Sequence, residues 1–233
     1  MRKVLVMGAV VVAAGVVAIA APDKKEMSER IQNAGIVLDE IHRAPDTDIP
    51  HDLWSKASCV GVLPSVKKGA FIVGGEYGKG VMSCRNGDGW SAPSFVELQK
   101  GSIGFQIGGE SVDLVYLVMN ENGVRHMIAN KVSLGAEASA AAGPVGRDTR
   151  AMTDAQMKAE ILSWSRASGV FAGVNLSGGS LRPDVDTNEA MYGKGVTAKS
   201  ILVDKKIPAP AEAAPFMRAL RRTMPPEKTG NNE

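Results

Sequence analysis

The strongest periodic signal in the chain lies between residues 24 and 42. Met27, Ile31, Ala34, Leu38 and Ile41 are spaced by four, three, four and three positions, which puts them on one stripe of an amphipathic helix. Pro45 closes that pattern, 46–50 reads as a turn, and a short helix is expected over 51–58. The pattern then changes. From Gly69 to Arg147 short β-prone apolar runs alternate with glycine pairs, as in a tightly folded antiparallel sheet. Strands are expected over 59–63, 70–73, 80–84, 94–98, 104–107 and 112–119. Asn86-Gly87-Asp88-Gly89 makes a tight hairpin turn. The glycines of 74–80 read as a β-turn between two strands, with Gly78 at positive φ.

Further along, Asn120 caps a short helix over 121–130, and the small residues of 134–146 point to close backbone packing. A helical turn over 153–160 precedes paired strands over 161–165 and 170–176, then a last short strand after Gly178-Gly179. Asp186 is placed to cap a helix that runs through Tyr192 and stops at Gly193. A further turn over 197–203 and the stiff Pro208 and Pro210 lead to a final helix over about 212–223. The sum is an α+β fold: a curved, mostly antiparallel sheet, barrel-like in its closure, with an N-terminal amphipathic helix and C-terminal helices.

Residues 1–20 belong to a different category. Arg2 and Lys3 precede an unbroken small and apolar run from residue 4 to 20 that ends Ala18-Ile19-Ala20, the layout of a cleaved export signal. The other reading is a retained anchor, for which the run is at the short limit of a membrane span. The expected organisation is a signal over 1–20, a single domain over 21–224 and a flexible polar tail over 225–233. The destination is the periplasm or cell envelope.

Removing that segment takes Arg2 and Lys3 with it and no acid, so the formal charge falls from +2 to zero. A nucleic-acid partner is therefore not expected, because such a protein needs a dense basic face. Charged residues at 22% and apolar ones at 44% suit an ordinary packed domain, and the 26 glycines and 12 prolines call for many turns. After export the two cysteines, Cys59 and Cys84, would sit where bridges persist. If 57–63, 70–75 and 79–85 form a simple meander, the first and third strands stand about 10 Å apart, too far for a bridge. A disulfide and two buried thiols both stay open at this point.

Signs of catalysis are sparse. Gly80 follows Lys79, so 74–80 is no phosphate loop. His42, His51 and His126 lack metal-ligand spacing, and no G-x-S-x-G elbow occurs. Asp184-Val185-Asp186-Thr187-Asn188 starts like a calcium loop, but Glu189 stands at the required glycine and Gly195 at the closing acid. No enzyme, cofactor or metal is expected.

Several separate segments resemble one family in the same order: Gly74-Gly75-Glu76-Tyr77-Gly78-Lys79-Gly80, Trp90-Ser91-Ala92-Pro93, Gly104-Phe105-Gln106-Ile107-Gly108 and Ala142-Gly143-Pro144-Val145-Gly146-Arg147. Leu181-Arg182-Pro183-Asp184, Asn188 and Tyr192-Gly193 match a further segment. The chain is similar to the SYLF domain family over about residues 28–222. The resemblance implies lipid binding without catalysis, through a leading amphipathic segment and basic residues that meet anionic lipids, phosphoinositides in particular. The SH3 module of some eukaryotic relatives has no counterpart in these residues, so their actin-linked roles are not expected of an exported protein.

The lipid candidates are then Met27, Ile31 and Leu38 for apolar insertion and Lys24, Lys25 and Arg30 for headgroups. Asp23, Glu26 and Glu29 offset those cations, so net attraction to an anionic surface is small. The same stripe serves equally well packed on the protein's own sheet. Lys67 and Lys68 form a second basic pair, to be read as a phosphate contact or a solvated turn. A membrane-lipid partner is the expected role; a structural or protein-interaction domain with no lipid site is the alternative.

Overall fold

The first element is an 18-residue helix, α1 (Lys24–Ile41), its first turn capped by the Asp23 carboxylate, which accepts from the Lys25 N–H. A computed structural model describes residues 22–43, 49–71, 73–87, 89–103, 108–146, 152–204 and 206–223. The signal over 1–20, most of the 46–50 turn, the strand over 104–107 and the tail over 225–233 lie outside the described residues. The α1 stripe is buried: Met27, Ile31, Ala34, Leu38 and Ile41 all belong to one core.

After α2 (His51–Lys56) come β1 (Cys59–Phe71) and β2 (Val73–Asn86), then β3 (Gly89–Trp90), β4 (Ser94–Ile103) and β5 (Gly108–Val118). Next are α3 (Glu121–Met127), β6 (Val132–Ser133), β7 (Ala140–Ala142), α4 (Asp154–Lys158), β8 (Ile161–Ala167), β9 (Val170–Gly173) and β10 (Gly179–Pro183). The chain closes with α5 (Val185–Tyr192), α6 (Ala198–Leu202), a 3-10 turn (Ala211–Ala213) and α7 (Ala214–Thr223). Asn120 caps α3 as expected, accepting from the Gly123 N–H at 2.9 Å. The cap of α5 is Asp184 rather than Asp186, because its side chain accepts from the Thr187 N–H.

The strands form one sheet in the order β6-β10-β4-β2-β1-β5-β8-β7, with β3 beside β2 and β9 beside β8. Pairing is antiparallel except between β7 and β8. The central strands are apolar on both faces. Val60, Val62, Val81, Val115 and Leu117 meet α1 and α7 in one core. Leu63, Met82, Leu98, Leu114, Ile161 and Leu181 come from six different strands yet meet in a second core, which requires the sheet to curl into a half-barrel around them. Outside the curl α1 and α7 run parallel: Lys24 stands 3.6 Å from Glu212 at one end and Asp39 3.6 Å from Arg222 at the other. Gly35 lets the α7 backbone approach, since a Cβ there would stand 3.2 Å from Phe216 main-chain atoms.

Three expectations change. The stretch 70–75 is not a separate strand of a meander. β1 and β2 are a long hairpin, and Gly74–Gly80 lies inside β2, so the 74–80 turn does not exist. Gly78 is not at positive φ; the need for glycine there is space, because a Cβ would meet Val66 Cγ2 at 2.5 Å. With one hairpin in place of three strands, Cys59 falls directly opposite Cys84, Cα to Cα 4.0 Å, and the two form a disulfide.

Candidate functional site

Two of the family-like segments, Gly74–Gly80 within β2 and Leu181–Asp184 at the end of β10, meet beneath α1. Arg30, buried on the inner side of α1, donates to Glu26 Oε1 at 2.8 Å and to Asp184 Oδ2 at 3.2 Å, and its guanidinium lies 5.5 Å from the Phe95 ring centroid. Lys79 of β2 reaches the same Asp184 oxygen at 3.2 Å. Asp184 can stand there because β10 pairs with β4, which carries the end of β10 to the sheet face beneath α1. Tyr77 donates to Glu97 Oε2 at 3.1 Å, and Glu97 in turn binds Arg182.

Burial alone would raise the Asp184 carboxyl, but its Thr187 hydrogen bond and the Lys79 charge outweigh that and hold it below the ordinary aspartate range. Burial would lower Lys79, and the Asp184 charge and hydrogen bond more than reverse it. Burial and the Glu97 charge push the Tyr77 phenol up. Asp184 and Lys79 are therefore both held in their charged forms at neutral pH.

Beside this cluster is an open cleft of about 280 Å³ between α1 and the β1–β2 hairpin, lined by Arg30, Asn33, Ser65, Lys67, Tyr77 and Lys79 together with Glu26 and Glu29. Lys67 is exposed at its rim and makes no ion pair among the described residues. Arg30 and Lys67, 37 positions apart, are thus brought to one site.

The other candidates are dispersed. Lys24 pairs with Glu212 at 3.6 Å and Lys25 with Glu29 at 3.8 Å, exposed contacts of small value. Met27, Ile31 and Leu38 are 4%, 0% and 0% exposed and hold α1 on the sheet, so the folded protein does not present them to a bilayer. Lys68 is one position beyond Lys67, opposite Glu76 and Glu110. Lys79, Tyr77 and Glu97 were not marked as site residues by the sequence, although Tyr77 and Lys79 stand in the first family-like segment and Asp184 in the last.

The remaining family-like residues are structural. The Asn188 amide accepts from the Phe95 N–H at 2.8 Å and donates to its carbonyl at 3.0 Å, holding α5 to β4. Tyr192 donates to the Pro93 carbonyl and Trp164 Nε1 to the Pro144 carbonyl. His42 lies against Trp54, and His126 faces Glu160 at 3.6 Å, neither near the cleft. Among the described residues no three His, Cys, Asp or Glu side chains are grouped to hold a metal, and no helix is long and apolar enough to cross a membrane.

Residues 99–223 match the family described as "Ysc84: Las17-binding protein actin regulator". The chain is 32% identical over 179 residues to LAS seventeen-binding protein 3 of Saccharomyces cerevisiae, covering 75% of this chain and 39% of that protein. It is 31% identical over 179 residues to Protein YSC84 of the same yeast, covering 75% and 38%. It is 33% identical over 171 residues to human SH3 domain-containing YSC84-like protein 1, covering 72% and 49%. The chain thus spans between about two fifths and one half of the curated relatives it matches.

Proposed function

The chain belongs to the Ysc84 (SYLF) family, and from that premise we propose that it is a non-enzymatic lipid-binding protein of the cell envelope that contacts anionic, phosphoinositide-like headgroups. The observation that carries the reading is Lys67, an exposed ammonium at the rim of a cleft whose wall already holds Arg30 and Lys79. The wall cations are committed to Glu26 and Asp184, so a headgroup phosphate would gain Lys67 and the residual field of the other two. Export is supported by the layout of residues 1–20 and by the Cys59–Cys84 bridge, which suits an oxidising compartment. No cofactor enters this reading.

Flotation of the processed chain on vesicles with and without an anionic phospholipid tests it. The anionic vesicles should recover more protein, and Lys67→Gln should weaken that recovery about five-fold, the equivalent of about 1 kcal/mol per basic residue. Equal recovery of wild type and variant on anionic vesicles would remove the cleft from the account.

The relatives' names favour a second reading, a protein-interaction domain with no lipid site. Those names belong to proteins of which the matched region is about two fifths to one half. This reading predicts no recovery on vesicles of any composition from a chain whose circular dichroism is native.

A further inference from the structure

Partway along its length β1 changes face. Val60 and Val62 point to α1 in the outer core, while Cys59 and Leu63 point into the half-barrel. Strict alternation would send residue 66 outward with the two valines and Lys67 inward. The reverse is found: Val66 is 1% exposed in the inner core, and Lys67 stands exposed at the rim of the cleft. One extra residue makes the switch. From Val62 to Lys67 β1 takes five steps while β2 takes four, from Val81 to Tyr77. From Leu63 to Val66 it takes three while β5 takes two, from Leu114 to Val112. The irregularity is a β-bulge, and Pro64, which has no N–H to give a ladder, sits where a bulge tolerates it.

Ser65 turns the backbone, at φ 55°. Among the described residues seven glycines share positive φ with it and one other non-glycine does, Ser168, which with Gly169 forms the two-residue turn between β8 and β9. Glycine would make the same bulge without the steric cost that a Cβ brings. Packing does not call for the serine side chain either. It is exposed, it lines the cleft, and its hydroxyl makes no hydrogen bond among the described residues. With Val66 turned inward, Ser65 and Lys67 flank it on the cleft side.

The bulge is held from outside the cleft. The Ser65 N–H donates to Asp113 Oδ1 of β5 at 2.9 Å. Arg166 of β8 donates through Nε to the other oxygen, Asp113 Oδ2, at 2.9 Å, and through its terminal nitrogens to Asp113 and to Glu40 of α1. Since α1 is the opposite wall of the cleft, one guanidinium ties both walls.

We infer that Ser65 is a second phosphate-contacting residue of the cleft, its hydroxyl donating to the phosphoryl oxygens that Lys67 attracts, and that Asp113, locked by Arg166, positions it. The inference rests on the lipid-binding reading above and deepens it by naming the donor and its brace. A phosphate accepts from a hydroxyl as well as from an ammonium, and such charge-assisted bonds are stronger than neutral ones. The cleft's acids, Glu26 and Glu29, stand on α1 and are paired with Arg30 and Lys25, which leaves the β1 wall as the phosphate side. A serine kept where glycine would be less strained is strain held at a ligand site.

The test is a titration of the protein with dihexanoylphosphatidylglycerol below its micelle concentration, read by amide shifts, with urea unfolding of each variant alongside and one N-terminus common to all. Ser65→Gly keeps the bulge and removes the hydroxyl, so its urea midpoint should equal or exceed that of wild type while its Kd rises at least about five-fold. A serine with a purely structural role would not separate the two readouts in this way. Asp113→Ala should raise Kd about as much, because the bulge loses its brace. In the Ser65→Gly background Asp113→Ala should change Kd less than about two-fold, since glycine holds the bulge unaided and no hydroxyl is left to place. Should Asp113→Ala not fold, the Ser65 amide of wild type decides: exposed but bonded, it should exchange at least about ten-fold more slowly than a free amide, and exchange at the free rate overturns the brace.

Wild-type affinity in Ser65→Gly overturns the contact, and so does a loss of binding that accompanies a lowered midpoint. Independent losses in the double variant overturn the positioning role of Asp113. In each of these cases the lipid reading stands if Lys67→Gln weakens the titration. A wild type that gives no saturable shift overturns both. Inorganic phosphate is the second arm: if it saturates the same amides with equal or higher affinity, the Ser65 contact is supported and lipid as the source of the phosphate is overturned.

Discussion

Tyr116 of β5 lies across Gly61 of β1, its ring filling the space where a side chain at residue 61 would stand. The two are directly paired in register, so the glycine admits a large ring to the interior of the curl. The phenol oxygen is buried with no hydrogen-bond partner among the described residues, and burial pushes its pKa up. Gly61→Ala should therefore cost about 1–3 kcal/mol by overpacking. Tyr116→Phe, which deletes an unsatisfied group and leaves the ring, should be neutral or stabilising by up to about 1 kcal/mol. Urea unfolding of both variants checks this, and a large loss in Tyr116→Phe would show that the oxygen has a partner after all.

Val66 and Gly78 make a second such pair across β1 and β2, with coupling that can be measured. Gly78→Ala should destabilise because its new methyl meets Val66 Cγ2. In a Val66→Ala background the same change should cost less by at least about 0.5 kcal/mol. Additive effects in the double-mutant cycle would place the strain in the backbone instead.

The Arg30–Asp184–Lys79 cluster gives the fold a pH dependence. Asp184 has a folded pKa below its unfolded value, so its ionised form adds stability above about pH 4, and that contribution is lost as pH falls through the lower folded value. Lys79 has a folded pKa above its unfolded value, so its contribution is full below about pH 10 and lost as pH rises through the folded value. Asp184→Asn should cost about 3 kcal/mol at pH 7, since it leaves buried Arg30 with Glu26 alone. The gap between wild type and Asp184→Asn should shrink as both are acidified. A gap that stays constant down to acid pH would mean that the charge contributes nothing.

How far the sequence could be read depended on what held each element. The helix α1 was legible because Met27, Ile31 and Leu38 face a core and so had to repeat at helical spacing. The full length of β1 and β2 was not. Past Val66 the strands are paired by their backbones outside the core, and Lys67-Lys68-Gly69 and Gly74-Gly75-Glu76 carry no apolar alternation to announce it. Asp186 looked as good a cap as Asp184 because both are aspartates next to the same helix; only the fold, which brings Asp184 to Arg30, separates them. The site itself was half visible. Arg30 and Lys67 were marked by charge, whereas Arg30 meeting Asp184 across 154 positions depends on β10 pairing with β4.

The Cys59–Cys84 bridge closes the base of the long β1–β2 hairpin. With a sequence separation of 25 the chain-entropy relation gives about 3.5 kcal/mol. Reduction should lower the urea midpoint by a corresponding amount without unfolding the chain at 25 °C. A midpoint unchanged by reductant would show that the thiols are not bridged in the protein as isolated.

The central claim is that lipid meets the cleft between α1 and the β1–β2 hairpin, and amide chemical shifts test it most directly. On titration with a short-chain anionic phospholipid held below its micelle concentration, shifts should concentrate at Ser65, Lys67, Tyr77 and Lys79 and saturate. Lys67→Gln should weaken the saturation about five-fold. A spectrum in which those four amides stay in place while others move, or in which nothing moves, would contradict the account.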